Sequence, residues 1–442
     1  MTTTEELYQT YLKHPVISTD TRKITPGCLF FALKGEKFDA NTFAGQAIES
    51  GAAFAVIDNP AYRVNEKCLL VDDTLKALQD LARHHRRQLT IPVVGLTGTN
   101  GKTTTKELIN AVLSQHFNTY ATQGNLNNHI GVPLSVLNIQ AEYQMAVIEM
   151  GANHQKEIAM LCSISQPTHG LITNVGKAHL EGFGGVEGVK KGKGELYDYL
   201  SREEGVAFIN CDDPVLMEMQ QVRGMKNVVY YGDSESSSLV SGRITDNSPY
   251  LALEWTDHSN GQNYTIKTQL TGAYNLVNIL AAICIGLYFK LAPEEVNTGI
   301  TGYQPKNNRS QVVQTATNML ICDYYNANPS SMAVAIENLG KIEAGRKVLV
   351  LGDMFELGEE AAAEHEAIIR KALDADVDEA IFIGKEFHRA GMKTNDIDRG
   401  KAVFYPSTEE ALEGLKARPV QNATVLIKGS RGMALERLAE LF

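Results

Sequence analysis

Short apolar runs alternate with stretches whose apolar positions recur every three or four residues along most of this chain. Runs at 93–97, 119–122, 145–150, 169–175, 206–210 and 228–231 read as strands, with helical periodicity between most of them. That alternation predicts parallel βαβ units and a doubly wound sheet. After Gly232 the period drops to two, at 239–244, 250–255 and 264–270, which predicts a small antiparallel insert. Ahead of this region lie short strands at 29–33, 54–57 and 68–71 with helices between them. They end in the basic run Arg83-His84-His85-Arg86-Arg87, which reads as an exposed helix end leading into a linker. The polar, glycine- and proline-containing stretch Gly302 to Arg309 marks a second boundary. Beyond it, strands at 319–323, 347–351, 379–383, 402–405 and 424–427 again alternate with helices. The expected fold class is therefore α/β in three domains. These are a small N-terminal α/β domain (1–88), a central doubly wound, mostly parallel sheet with the antiparallel insert (89–305), and a C-terminal Rossmann-like α/β domain (306–442).

Composition narrows the function classes. A chain of 442 residues is too long for one ordinary core. With 43% hydrophobic and 21% charged residues it has the make-up of a globular protein. A net charge of −11 argues against a nucleic-acid polyanion as the main partner, while leaving room for nucleotides held locally. The opening Met-Thr-Thr-Thr-Glu-Glu-Leu-Tyr lacks the pattern of a signal peptide. The apolar stretch 276–289 carries Asn278 and is too short for a bilayer span, so it reads as a buried helix. Six scattered cysteines without a Cys-x-x-Cys pair predict buried free thiols in a reducing compartment, hence a cytoplasmic protein.

The most specific chemistry follows the run at 93–97. Gly98-Thr99-Asn100-Gly101-Lys102-Thr103-Thr104 joins a strand to an amphipathic helix, the order of parts that builds a phosphate cradle. Backbone N–H groups turn onto oxyanions, Lys102 neutralises phosphate charge, and Thr103 offers a hydroxyl to Mg²⁺. The spacing is shorter than in a standard Walker A loop, whose first glycine position holds Leu96 here. Glu149 ends a strand and His179 falls just past the C-terminal end of the next, where ligands bind in doubly wound sheets. Either suits a nucleotide-bound cation, although a lone histidine is more often a satisfied or exposed side chain. Lys190, Lys191 and Lys193 lie on a helix starting near Val186, and a lysine cluster of this kind reads first as a solvated face. Asn275 opens a long apolar helix, where it can cap the helix or read an adenine edge. In the third segment Asp323, Asn326, Asn328 and Ser331 follow a strand, as do Gly352-Asp353-Met354 and Lys428-Gly429-Ser430-Arg431. These loops are expected on one sheet edge facing a ligand, which implies domain closure during reaction.

Taken together, these segments resemble the ATP-dependent Mur ligases of peptidoglycan synthesis over nearly the whole chain. Gly98 to Thr105 is similar to the family's short phosphate loop, which accounts for the spacing. Further similar stretches are Asp20-Thr21-Arg22, Gly124 to Pro133, Glu149 to His154, Ala178 to Gly184, Asp323 to Met332 and Lys428 to Arg431. Within the family they resemble the branch that joins D-alanyl-D-alanine to UDP-N-acetylmuramoyl-tripeptide through an acyl phosphate. The resemblance implies ATP and two Mg²⁺ ions as cofactors, and no nucleic-acid or membrane partner. Thr103 and Glu149 would hold one Mg²⁺; His179 and a carbamylated lysine, chosen as Lys193 over Lys190 and Lys191, would hold the other. Asn275 would contact adenine, Arg309 the γ-phosphate and Asp323 the ribose. Thr19, Asp20, Thr21 and Arg22 would bind the uridine diphosphate end, and Asn125, Asn128, Asn326, Asn328 and Ser331 the rest of the substrates. A monomer is expected. Two positions depart from the family pattern: Tyr274 stands for a histidine, and Phe38-Asp39-Ala40-Asn41 replaces Phe-Asp-Gly-His. The competing readings are a P-loop kinase or nucleotide-gated module and a folylpolyglutamate-synthase-like ligase.

Overall fold

The computed structural model describes residues 1–177, 180–233, 237–393 and 400–442. Three separate sheets carry the chain, and each grows from a run of apolar residues. At the N-terminus, strands Ile17–Ser18, Leu29–Phe31, Phe54–Ile57 and Cys68–Leu70 form a parallel sheet in that order. Helix Thr4–Lys13 starts in a Thr3/Glu6 capping box and packs on this side of the molecule. A two-stranded ribbon, Lys34–Gly35 with Phe38–Asp39, projects beyond the sheet; the sequence reading has no counterpart for it.

Helix Thr74–Gln88 closes this segment, and here the structure corrects the sequence. The basic run is not a solvated end: His85 and Arg86 are buried. The Arg86 guanidinium donates to the carbonyls of Ser165, Leu89 and Gln166, and His85 Nε2 bonds the Ile139 carbonyl. The run thus clasps the first segment to the second, because free carbonyls at a helix C-terminus accept from a delocalised cation that tolerates desolvation.

The central sheet has nine strands. In spatial order they are Gln262–Lys267, Leu251–Asp257, Val240–Asn247, Val228–Tyr231, Val206–Asn210, His169–Ile172, Val93–Thr97, Met145–Glu149 and Thr119–Ala121. All are parallel except the first two pairings, which are antiparallel. Every residue of Val93–Thr97 is buried, as expected of a parallel strand with both faces covered. The expected insert is present, but it is no separate unit: Tyr231 pairs with Val240, so its strands extend the main sheet.

The C-terminal sheet runs Gln311–Gln314, Met319–Asp323, Thr424–Lys428, Lys347–Gly352, Glu379–Ile383 and Ala402–Tyr405. Its first strand is antiparallel and was not legible in the sequence, where Gln311 and Gln314 flank only two apolar residues. The six cysteines are all buried and free, as expected. No helix among the described residues is long and apolar enough to cross a membrane.

Candidate active site

The phosphate loop is shaped by two glycines and one neighbouring segment. Gly98 has φ +148°, and a Cβ there would lie 2.0 Å from Thr173 Oγ1. Gly101 has φ +78°, and a Cβ there would lie 2.8 Å from Asn278 Oδ1. Only glycine fits both the backbone angles and the space. The residues after strand His169–Ile172 stitch the loop in place. Thr99 N–H donates to the Asn174 carbonyl and Asn100 N–H to Asn174 Oδ1, while Thr173 Oγ1 donates to the Asn100 carbonyl at 2.6 Å. Helix Lys102–Leu113 then directs its N-terminus at the loop.

Lys102 Nζ donates to the carbonyls of Gly98 at 2.7 Å and Thr99 at 3.0 Å. Burial pulls its pKa down to about 8; Glu149 opposes that shift and Arg309 adds to it. Thr103 is buried and Thr104 lines the cavity. Glu149 ends strand Met145–Glu149 and is 2% exposed. One of its oxygens accepts from Asn127 Nδ2 at 2.9 Å. The other, Oε2, is buried without a partner. A buried carboxylate oxygen left unsatisfied is costly unless a cation completes it, so the donor set fits a hard divalent ion.

Helix Val186–Arg202 separates the three candidate lysines. Lys190 pairs with Glu218 at the surface and Lys191 is exposed, whereas Lys193 is 2% exposed. Lys193 Nζ donates to the Ala152 carbonyl at 3.2 Å and lies 5.1 Å from the centre of the Phe183 ring. Burial, with a smaller push from Lys102, draws its pKa down to about 7. The solvated-face reading therefore fails for Lys193. His179, the other expected partner of that site, lies outside the described residues.

Lys102, Thr104 and Glu149 line one cavity of 680 Å³, shared by the phosphate loop, the 149–161 segment and the C-terminal sheet edge; Gly98, Thr103 and Lys193 are not part of its wall. Among the expected residues, Thr99, Asn100, Gly101, Lys102, Asn128, Glu149, Asn275, Arg309, Asp323, Asn326, Asn328 and Ser331 all line it. Asn100 crosses between domains: its Nδ2 donates to Ser330 Oγ at 2.9 Å and its Oδ1 accepts from Asn328 Nδ2 at 2.8 Å. Arg309 stacks 4.0 Å from the centre of the Tyr325 ring. Asp323 Oδ2 is bonded to buried Lys428 at 2.6 Å.

Some expectations change. Asn275 is the first residue of its helix rather than its cap. Its amide donates to the Thr271 carbonyl and accepts from Asn278, which in turn accepts from Thr105, so it ties this helix to the phosphate-loop helix. Tyr274, the family's histidine position, lines the cavity and shares a hydrogen bond with Ser310 at 2.7 Å. Asn125 does not line the cavity; its carbonyl accepts from Asn127 N–H. Thr19, Asp20, Thr21 and Arg22 are also outside it. There Asp20 caps a short 3₁₀ turn and pairs with Arg22 at 2.8 Å. Asn41 is fully buried and clamped to Asp39, Asp58 and Asn59, so it shapes the N-terminal loop and has no free face for a ligand.

The sequence reading missed Asn127, Asn174 and Ser330 as individual site residues. All three are small polar residues in loops, where a turn role is the default reading. Lys428, expected on a ligand-facing loop, does line the cavity.

Comparison with known proteins agrees with this architecture. Residues 15–86 match the model for the Mur ligase family, catalytic domain, and residues 96–286 that for the Mur ligase middle domain. Residues 308–431 match the Mur ligase, glutamate ligase domain. The chain is 38% identical to the UDP-N-acetylmuramoyl-tripeptide–D-alanyl-D-alanine ligase of Escherichia coli K12, covering 96% of this chain and 92% of that protein. A crystal structure of MurF from Acinetobacter baumannii superposes with a TM-score of 0.87 at 31% identity, covering 99% of this chain and 98% of the other. MurF ligase from Thermotoga maritima in complex with ADP gives a TM-score of 0.84 at 27% identity, covering 98% and 97%. The chain belongs to the Mur ligase family.

Proposed function

We propose that the chain is an ADP-forming ligase that joins D-alanyl-D-alanine to UDP-N-acetylmuramoyl-tripeptide in peptidoglycan precursor synthesis. The observation that carries this reading is the cavity in which Lys102 and Glu149 face the polar edge Asp323–Ser331. A kinase or nucleotide-gated module needs the first half of that cavity and leaves the second without a task.

A carboxylate is a poor electrophile toward an amine. The tripeptide carboxylate oxygen attacks the γ-phosphorus of ATP, the bond to the β-bridging oxygen breaks, and ADP leaves. The dipeptide amine then attacks the acyl carbon of the acyl phosphate. The tetrahedral species collapses to the amide and expels phosphate, and the amine's proton passes to solvent. Positioning and charge neutralisation supply most of the rate in the first step. Lys102 and Arg309 neutralise the transferring group, and Gly98 to Thr104 hold the phosphates with backbone N–H groups. Thr103 and Glu149 would hold a Mg²⁺, which neutralises phosphate charge when bound. His179 and Lys193 would hold a second. The lowered pKa of Lys193 favours the neutral amine that CO₂ requires for carbamate formation, which turns a cation into an oxygen ligand.

Asn275 and Asp323 would serve the adenosine, the former through the helix it fixes. Asn128, Asn326, Asn328 and Ser331 would line the peptide path. Thr19 to Arg22, in the segment 1–88, would take the uridine diphosphate end, with 89–305 holding ATP and 306–442 closing the site. The chain would act as a cytoplasmic monomer. The test couples ADP and phosphate release to product mass across a panel of UDP-muramoyl peptides and amine acceptors. Stoichiometric release only with both substrates is expected; ATP turnover at the same rate without the amine overturns the reading.

A further inference from the structure

We infer that the antiparallel strands of the central sheet are a stop against which the C-terminal domain closes, and that Asn247 and Ser248 are positioning residues for amide formation. The inference rests on the ligase reading above and extends it to a part of the molecule with no assigned task. Helix Pro329–Lys341 carries the polar edge of the site on its N-terminal turn. It is seated on the central domain at both ends. At the first end, Asn328 and Ser330 bond the Asn100 side chain of the phosphate loop. At the far end, Asn247 Nδ2 donates to Asn338 Oδ1 at 3.1 Å, and Glu343 N–H donates to Ser248 Oγ at 3.3 Å.

Ten residues of helix put the two seats about 15 Å apart. The Lys177–Glu364 ion pair also joins the two domains, at 2.8 Å, but only two seats on one helix fix that helix's tilt. Both belong to one rigid body. The hairpin strands Val240–Asn247 and Leu251–Asp257 are continuous through Val228–Tyr231, Val206–Asn210 and His169–Ile172 with the strand that feeds the phosphate loop. The hairpin tip is itself held, since Ser248 N–H donates to Asp246 Oδ1 and Asn247 pairs in register with Leu251.

The chemistry of the far seat suits a contact that forms and breaks in each cycle. Its hydrogen bonds join neutral amides and a hydroxyl, which exchange readily for water. Asn247 Oδ1 is buried at this seam without a partner, an unsatisfied acceptor that opening would hydrate. Seating the helix registers Asn326, Ser330 and Ser331 opposite Lys102, where a displacement of an ångström degrades attack geometry.

The experiment compares Asn247→Ala/Ser248→Ala, Asn338→Leu and Asn338→Asp with the unmodified full-length chain. The last keeps an acceptor for Asn247. Ligation at saturating substrates, affinity for a non-hydrolysable ATP analogue, melting temperature and the label-to-label distance between central and C-terminal domains are measured. The double variant and Asn338→Leu should lose about tenfold in kcat. They should also show a broadened, longer interdomain distance with all ligands present, while nucleotide affinity and melting temperature hold. Asn338→Asp should stay near the parent in both rate and distance. Parent-like kcat and distance in the double variant, or equal losses in Asn338→Asp and Asn338→Leu, overturn the stop. Failure of the parent to make amide overturns the ligase reading instead, and the distance measurement still decides the stop.

Discussion

We propose phosphate-bearing ligands for two regions of this molecule, and the two are built in opposite ways. Around the phosphate loop, charged groups are desolvated, and one carboxylate oxygen among them is left without a partner. Glu149 keeps one oxygen without a partner, and burial depresses Lys102 to about 8 and Lys193 to about 7. Around Thr19–Arg22 an exposed arginine and a half-buried aspartate already satisfy each other. Hydrogen bonds from Arg22 draw the Asp20 carboxyl down to about 2. Unmet charge in a low dielectric is stabilisation held ready for a transition state. A solvated ion pair is weak and replaceable, and suits gripping the unreactive end of a substrate.

This contrast can be broken or sharpened by mutation. The largest effect is expected for Glu149→Gln, which retains a partner for Asn127 and removes the charge. Its kcat should fall about 10³-fold or more. A loss below about tenfold, measured by steady-state phosphate release, would make the carboxylate merely structural.

Next comes Lys193→Ala, expected to lower ligation about 10²-fold and to be partly restored by short carboxylic acids. An unaffected variant would remove the carbamate from this position. The same residue predicts a pH effect on folding. Its pKa falls from 10.5 to about 7 on folding, so the unfolded chain binds more protons between those values. The penalty for the buried lysine is complete below pH 7 and is relieved as pH rises through that window. Stability should therefore climb with pH relative to Lys193→Met, whose slope lacks this contribution. Denaturant midpoints at pH about 7 and about 9.5 check it, and parallel slopes would contradict the buried neutral amine.

The smallest effect belongs to Arg22→Ala. Stability should hardly change, while KM for the UDP-linked substrate rises about tenfold with kcat unchanged. A fall in kcat with constant KM would place Arg22 in the chemistry.

Much of the scaffold was legible because apolar runs and their periods are local facts. The strands feeding the site, the phosphate loop and the polar loops after the C-terminal strands all follow from sequence order. What was not legible depends on partners distant in the chain. Gln311–Gln314 is a strand only because Met319–Asp323 lies beside it. Arg86 looked like a solvated cation until the carbonyls of Ser165 and Gln166 came within reach. Asn127, Asn174 and Asn247 carry the signature of turns, and only the fold shows that they grip Glu149, Asn100 and Asn338. Lys193 and Lys191 differ by half a helical turn, and that rotation alone separates a buried amine from an exposed one.

The position of Lys102 has a bearing on turnover. With its ammonium already held by the carbonyls of Gly98 and Thr99, the lysine gains little from a stray anion. A polyphosphate that also engages the helix N-terminus can draw the lysine away, whereas a lone phosphate offers less in exchange. After the amide forms, the side chain has a resting place to return to as the freed phosphate departs. Orthophosphate should accordingly be a far poorer product inhibitor than ADP, and comparable inhibition constants for the two would show that the resting place does not govern release.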